Sequence, residues 1–238
     1  MTHPDHRLPL VLVPGHMGTA LSWHYQREAL KSEREIIVPD RHYALPSIQE
    51  MAREIAATLP PRFDLAGWSM GGYIVLELYP LVRERVGRLI LISTSARPEH
   101  EEAKARRAEL LESVAADGLA VVWRRQFQRF VVDPSRLYEG FKERVIQDSV
   151  RLGEEVLRSQ IKAISARRDT RGELGRIGCK TLVIGGREDV IIPVECAQEI
   201  ADAVPHAALH VLDDVGHCLP WERPNLVNAI MHQFLSDA

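Results

Sequence analysis

Residues 63–72 read Phe63-Asp64-Leu65-Ala66-Gly67-Trp68-Ser69-Met70-Gly71-Gly72, and they set the architecture of this chain. The first residues are nearly all apolar, which is typical of a strand covered on both faces, and a helical run starts at Tyr73. A sharp turn from strand to helix requires small residues around its centre, and Gly67 and Gly71 meet that requirement around Ser69. Such a turn strains the backbone at Ser69 and presents its side chain at a helix N-terminus, where N–H groups favour negative charge.

Short, nearly continuous apolar runs recur along the chain and are typical of buried strands. They comprise residues 8–13, 35–38, 62–66, 88–93, 180–184 and 208–212. Amphipathic helical stretches separate most of these runs, for example at 47–59 and 194–203, and another ends the chain at 224–235. Alternating strands and helices predict an α/β fold with a doubly wound, mostly parallel sheet of about six strands.

The alternation breaks between the fourth and fifth runs. Residues 98–171 contain no strand-like run but hold four helical segments, at 99–116, 119–131, 135–150 and 154–166. Turn signals such as Asp133-Pro134 separate the segments. We therefore predict an all-helical cap at 98–171, inserted into a core formed by 1–97 and 172–238.

Composition excludes several classes of protein. The 238 residues carry 30 Lys and Arg against 33 Asp and Glu, a formal net charge of −3, which argues against a nucleic-acid-binding protein. None of the three cysteines lies in a C-x-x-C pair, and no apolar run is long enough to cross a bilayer. Because no basic segment followed by an apolar stretch opens the chain, we expect a cytoplasmic protein without a membrane partner.

No metal or cofactor is predicted. The three cysteines and ten histidines show no metal-ligand spacing. The loop Gly15-His16-Met17-Gly18 after the first strand lacks the G-x-G-x-x-G pattern of dinucleotide-binding folds.

Ser69 requires a base, and the base an orienting acid, if its hydroxyl is to act as a nucleophile at neutral pH. His217 follows the last strand-like run, at the sheet edge where the turn carrying Ser69 also emerges. The loop after residues 180–184 offers Asp189, with Glu188 as the alternative. The sequence therefore predicts a catalytic triad of Ser69, His217 and Asp189.

Attack by a serine on a carbonyl produces an oxyanion, which two N–H groups have to bind. The residue after the nucleophile, Met70, is expected to supply one of them. The loop after the first strand is expected to supply the other, because Gly15 and Gly18 permit close approach of its backbone. We assign this donor to His16, with Met17 as the alternative, and the sequence leaves a role for the His16 side chain open.

On these segments the chain resembles the α/β-hydrolase family with a helical cap. The resemblance rests on the turn at 67–71, the acid segment at 186–193, the histidine segment at 216–224 and the chain order Ser, Asp, His. Residues 88–98 are similar to the strand that leads into the cap in the carboxylesterase and enol-lactonase branches. The resemblance implies a serine hydrolase that cleaves a small carboxylic ester or lactone through an acyl-enzyme.

Two other functions fit the same scaffold: a C–C bond hydrolase or lyase that uses the same triad, and a non-catalytic ligand receptor. The chain also departs from the usual family pattern. Pro14-Gly15 replaces His-Gly, and residues 39–43 replace a Gly-His-Gly loop. The N-terminus is too short for two leading strands, so we expect about six strands where the family usually has eight.

The cap is expected to determine which substrate binds. Trp123, Phe127 and Phe130 recur at i, i+4 and i+7 and form one apolar helix face. This face either packs the cap onto the core or lines the pocket, and the two roles overlap. With Trp68 in the sharp turn, these three are the candidate substrate-binding residues. A small-molecule ester or lactone is the only partner predicted.

Overall fold

The strands of the sheet all run parallel in a computed structural model, which describes residues 7–236. They are β1 (Leu10–Val13), β2 (Ile36–Ile37), β3 (Phe63–Trp68), β4 (Val86–Ile92), β5 (Lys180–Gly186) and β6 (Ala208–Leu212). Their order in the described sheet is β2-β1-β3-β4-β5-β6. The predicted α/β fold with a parallel sheet of about six strands is confirmed.

Helices connect and cover the strands. They are α1 (His24–Leu30), α2 (Ile48–Ala56), α3 (Met70–Val82), α4 (Glu101–Asp117), α5 (Leu119–Phe130), α6 (Phe141–Ser165), α7 (Val194–Ala203), α8 (Leu219–Glu222) and α9 (Pro224–Ser236). Where the structure describes the chain, no helix is both long and apolar enough to cross a membrane.

Both faces of the sheet are buried because successive residues of a strand point in opposite directions. In β1, Leu10 and Leu12 pack into one apolar cluster, which also contains Met231 of α9. Val11 and Val13 pack into the other, together with Ile55 of α2. Helices therefore cover the sheet on both sides, as the continuous apolar runs of the strands predict.

Helices α4, α5 and α6 stand between β4 and β5, where the sequence predicts the cap. The predicted segments 135–150 and 154–166 are continuous in α6, but Gly153 interrupts it with φ 84° and ψ 169°. Only glycine adopts such a backbone conformation without strain, so the break falls where the sequence places it. The division into a cap at 98–171 and a core remains a prediction.

The register of the sheet brings the loops of interest to one edge. Val13 pairs with Gly67, so the loop after β1 lies beside the turn after β3. Gly186 pairs with Leu212, so the loops after β5 and β6 also lie side by side. In open parallel sheets, ligands bind at the carboxyl ends of the strands.

Candidate active site

Ser69 occupies a strained turn between β3 and α3. Its φ is 56°, a conformation that residues other than glycine rarely adopt. The backbone N–H of Ser69 donates to the carbonyl of Ile92 at 2.9 Å, and the Thr94 hydroxyl donates to the carbonyl of Ser69 at 2.8 Å. Hydrogen bonds from β4 and the residues after it therefore stabilise the strained turn.

The two glycines of the turn are required by close packing. A Cβ on Gly67 would lie 2.6 Å from the carbonyl oxygen of Gly71, and a Cβ on Gly71 would lie 2.1 Å from the carbonyl oxygen of Val13. Real Cβ atoms do not approach backbone oxygens so closely. The small residues that the sequence predicts on both sides of Ser69 are thus needed for steric reasons.

Substituting Gly71 with Ala is expected to lower the free energy of unfolding by about 1–3 kcal/mol, the usual cost of overpacking a core. The added Cβ meets backbone atoms of Val13 and Pro14, which move only if β1 or its loop shifts. Urea denaturation measures the change. Gly172→Ala is the matched control, because a Cβ at Gly172 meets nothing within 4 Å. Equal stability of the two variants would contradict the steric argument.

The side chains of Ser69, His217 and Asp189 form one hydrogen-bonded chain. His217 Nε2 lies 2.9 Å from Ser69 Oγ, and His217 Nδ1 lies 2.8 Å from Asp189 Oδ2. Because a carboxylate only accepts hydrogen bonds, Nδ1 donates to Asp189 and Nε2 is free to accept from the Ser69 hydroxyl. The three predicted residues come together in the order that proton transfer requires.

Backbone hydrogen bonds fix the acid. Asp189 Oδ1 accepts the N–H groups of Ile191 and Ile192 at 2.8 and 2.9 Å, which leaves Oδ2 for His217. The alternative acid, Glu188, instead accepts the N–H of Val215 at 3.0 Å. Glu188 therefore supports the histidine loop and Asp189 contacts the histidine.

A further carboxylate, for which the sequence predicts no role of its own, positions the histidine loop. Glu222 is buried and accepts the N–H of Gly216 at 3.1 Å through one oxygen. Its other oxygen accepts the N–H groups of Val132 and Asp133 at 2.7 and 2.9 Å. Glu222 thus joins the loop before His217 to the segment that follows α5. In the sequence, the position of Glu222 within the histidine segment 216–224 is the one indication of this role.

The loop after β1 approaches Ser69 closely. A Cβ on Gly15 would lie 3.3 Å from Ser69 Cβ and 3.8 Å from its Oγ. Within residues 7–236, the backbone N–H groups of His16 and Met70 donate to no protein acceptor. The N–H of Met17, the alternative donor, is already used, because it donates to Gln160 Oε1 at 2.8 Å.

Two buried side chains of α6 hold this loop. Gln160 accepts from the N–H of Met17, and the hydroxyl of Ser149 donates to the carbonyl of Met17 at 2.8 Å. Gln160 also donates to the carbonyl of Tyr43 at 3.2 Å. Met17 has φ 53°, so its two peptide groups are fixed in an unusual orientation. Neither α6 residue is predicted by the sequence, because local patterns do not indicate which loop a helix contacts.

A cavity of about 530 Å³ includes Ser69 and His217 in its lining. All four candidate substrate-binding residues line it: Trp68, Trp123, Phe127 and Phe130. Trp123 and Phe127 are also buried in the apolar cluster, so the α5 face packs against the core and lines the cavity at once. Trp68 has a second contact, since its Nε1 donates to the carbonyl of His217 at 3.1 Å.

The imidazole of His16 also lines the cavity. Its centroid lies 5.6 Å from the Trp123 ring, in an edge-to-face arrangement. Burial, and to a smaller extent the charge of Arg107, lowers the pKa of His16 to about 3. The ring is therefore neutral at physiological pH, and its Nε2 has no hydrogen-bond partner among the described residues.

Residues 10–230 match the model of the family described as the alpha/beta hydrolase family. The chain belongs to this family. This alpha/beta hydrolase is also 30% identical over 248 residues to the dihydrolipoyllysine-residue acetyltransferase component of the acetoin cleaving system of Pseudomonas putida. The match covers 95% of this chain but spans only 63% of the length of that relative.

Two solved structures share the fold of this alpha/beta hydrolase. A thermophilic esterase from Thermogutta terrifontis, with malate bound, has a TM-score of 0.83 at 28% identity, over 96% of this chain and 89% of that chain. The enol-lactonase from Burkholderia xenovorans LB400 also has a TM-score of 0.83, at 22% identity, over 97% and 92% of the two chains. The predicted membership of the family and the relation to esterases are confirmed, and the enol-lactonase shares the fold. Family membership supports a hydrolase.

Proposed function

We propose that this alpha/beta hydrolase cleaves small carboxylic esters or lactones through an acyl-enzyme on Ser69. The observation that carries the proposal is the pair of hydrogen bonds from Ser69 Oγ to His217 Nε2 and from His217 Nδ1 to Asp189 Oδ2. This arrangement supplies a nucleophile, a base and an orienting acid within direct reach of one another.

In the first half-reaction, Ser69 Oγ attacks the carbonyl carbon of the substrate while His217 Nε2 takes the hydroxyl proton. Asp189 accepts the Nδ1–H throughout, which holds the ring in the required tautomer and stabilises the imidazolium that forms. The carbonyl oxygen becomes negative and accepts hydrogen bonds from the N–H groups of Met70 and His16. The bond to the alcohol oxygen then breaks, and His217 returns the proton to that oxygen.

In the second half-reaction, water takes the place of the alcohol. His217 Nε2 accepts a proton from the water, whose oxygen attacks the acyl carbon of the ester on Ser69. The same two N–H groups bind the second oxyanion. The bond to Ser69 Oγ then breaks, Oγ regains the proton from His217, and the carboxylic acid leaves. With a lactone substrate, the alcohol remains part of the same product.

The size and lining of the cavity support a small substrate. Its volume of about 530 Å³ suits a ligand of small-molecule size. The aromatic rings of Trp123, Phe127 and Phe130 give it an apolar wall for an acyl or alkyl group. The relative from Thermogutta terrifontis, an esterase at 28% identity, supports carboxylic esters as the substrate class.

We expect a fluorophosphonate probe to modify Ser69, and we expect p-nitrophenyl esters of graded acyl length or simple lactones to be hydrolysed. Peptide mass spectrometry locates the adduct, and a stopped reaction with an activated ester shows the acyl-enzyme. Ser95 is the internal control, because it lines the same cavity but its hydroxyl accepts the N–H of Arg97 and has no hydrogen bond to a histidine of residues 7–236. An adduct on Ser95, or turnover of C–C bonds with no ester activity, would contradict the proposal.

A further inference from the structure

The cavity beside Ser69 has arginines in its lining in addition to its apolar wall. Six arginines line it: Arg97, Arg106, Arg107, Arg129, Arg167 and Arg171. Glu99 is the one carboxylate in the described lining. Arg97 and Arg171 pair with Glu199 outside the lining, and Arg106 and Arg129 are exposed, so a carboxylate or water offsets these four charges. The charge that stays less exposed to water is that of Arg107 and Arg167, which flank Glu99.

Helix α4 contributes two of these arginines, Arg106 and Arg107. His100, Ala103, Arg107 and Leu110 recur at helical spacing, and all line the cavity. Only Ala103 and Val114 of α4 are buried, so this helix contributes little to the apolar core. Its inner face therefore serves mainly to enclose the cavity, with Arg107 near the middle of that face.

The charges around Glu99 do not balance within the protein. One oxygen of Glu99 accepts Arg107 Nε at 2.8 Å and Arg167 Nη1 at 2.9 Å. The Glu99 side chain is only 5% exposed, so two guanidinium groups share one buried carboxylate. The pair of Glu99 and Arg167 already joins the two segments that connect the three cap helices to the sheet. Arg107 is the surplus cation of this cluster.

Arg107 keeps two donors available. Apart from its Nε, no nitrogen of Arg107 donates to an acceptor among residues 7–236, and the side chain is 22% exposed. The guanidinium of Arg167, in contrast, also donates to the carbonyls of Arg97 and Ile164. Two free N–H-bearing nitrogens on one planar group match the two oxygens of a carboxylate.

The cluster lies close to the nucleophile. The Arg167 guanidinium stacks 4.3 Å over the ring of Tyr73, which lies one turn after Ser69 on α3. The charge of Arg107 also reaches His16, whose pKa it helps to lower. The His16 ring is neutral, so the positive charge of this cluster is that of Arg107 and Arg167, and a guanidinium keeps its charge at every physiological pH.

We infer that the substrate carries a carboxylate or similar anionic group, and that Arg107 binds it while Ser69 attacks the ester or lactone. The inference rests on the proposed function for the reacting bond, and it adds the chemical class of the remainder of the substrate. A half-ester of a dicarboxylic acid has this character: an apolar chain to contact α5, a reactive carbonyl at one end and an anion at the other.

The test compares monomethyl esters of linear dicarboxylic acids, from succinate to suberate, with methyl esters of monocarboxylic acids of equal length. We expect kcat/KM to favour the dicarboxylic member by about tenfold or more at the best length, since bonds to charged groups are strong. Arg107→Met is expected to abolish this preference, and Arg107→Lys to retain part of it. Glu99 keeps Arg167 as a partner in both variants, so we expect both to fold.

Arg125→Met is the matched control. Arg125 lies on α5, is 65% exposed, pairs with Asp117 and does not line the cavity. We expect Arg125→Met to keep the wild-type preference in kcat/KM for the dicarboxylic half-esters. A preference for the neutral ester at every length, or an equal loss on both members of each pair in Arg107→Met, would overturn the inference.

A binding experiment separates failure of this inference from failure of the proposed function. The Ser69→Ala protein is titrated by calorimetry with free dicarboxylates and with monocarboxylates of equal length, which requires no turnover. The anion site is supported if the dicarboxylate binds more tightly than the monocarboxylate and if adding Arg107→Met removes this difference in affinity. This result would hold even if no ester is hydrolysed. Equal binding of the two series refutes the anion site, even if Ser69 proves to be the nucleophile.

Discussion

Replacing Ser69 with Ala is expected to lower kcat toward activated esters by about 10⁴-fold or more and to leave the fold intact. The variant removes the only side-chain oxygen that contacts His217 Nε2 within the described residues. It also keeps the Cβ, so the strain at φ 56° is the same in both proteins. Hydrolysis of p-nitrophenyl butyrate, measured against an enzyme-free blank, gives the change in kcat.

Ser113→Ala is the control for this comparison. Ser113 is half-buried on α4, and its hydroxyl donates to the carbonyl of Glu109 at 2.8 Å, its one hydrogen bond among the described residues. We expect wild-type kcat from it, and we expect the melting temperature of Ser69→Ala to stay within a few degrees of the wild type. If Ser69→Ala retained a tenth of wild-type turnover, the acyl-enzyme mechanism would be untenable.

The three residues of the predicted triad could be assigned to one sheet edge from sequence because each follows a strand with a strong local signal. Ser69 comes directly after β3, while Asp189 and His217 follow β5 and β6 by a few residues. Parallel strands bring their carboxyl ends to one edge of the sheet. The connectivity of the fold thus places three residues together that are up to 148 positions apart.

Residues that support the site could not be located in the same way. Gln160 and Ser149 contact Met17 across 143 and 132 positions, from a helix whose amphipathic pattern reports only which face is buried. Arg107 is one of several charged residues of α4, and nothing local distinguishes a cavity-facing arginine from a solvated one. Such roles depend on how the helix packs against distant loops, which periodicity does not encode.

The ends of the strands also could not be predicted accurately from the local sequence. The predicted run 35–38 forms only two residues of strand in β2, Ile36–Ile37, at the edge of the described sheet. The run 180–184 extends in β5 to Gly186, because Gly185 and Gly186 pair with Val211 and Leu212 of β6. Two consecutive glycines indicate a turn when only the local sequence is considered. Here both glycines pair with residues of β6, so the strand continues through them.

The second large effect is expected at Gln160, which forms no hydrogen bond with Ser69, His217 or Asp189 among the described residues. Gln160→Met is expected to lower kcat by about 100-fold with little change in KM, comparable to the loss of one oxyanion donor. The side chain accepts from the N–H of Met17 and donates to the carbonyl of Tyr43, and Met removes both hydrogen bonds at similar length. Once Met17 is released, the adjacent N–H of His16 loses its orientation toward the developing oxyanion.

Two serine variants on the same helix separate this positioning role from general loss of stability. Ser149 donates to the carbonyl of Met17 and Ser159 donates to the carbonyl of Ala44, each at 2.8 Å. Each Ser→Ala change therefore deletes one hydrogen bond between α6 and a neighbouring loop. We expect kcat to fall about tenfold in Ser149→Ala and to remain within about twofold in Ser159→Ala. Equal kcat values, or a fall that follows the melting temperature, would show that α6 only stabilises the fold. A selective fall in kcat would show that α6 sets the geometry of the oxyanion site through Met17, whose carbonyl accepts the Ser149 hydroxyl.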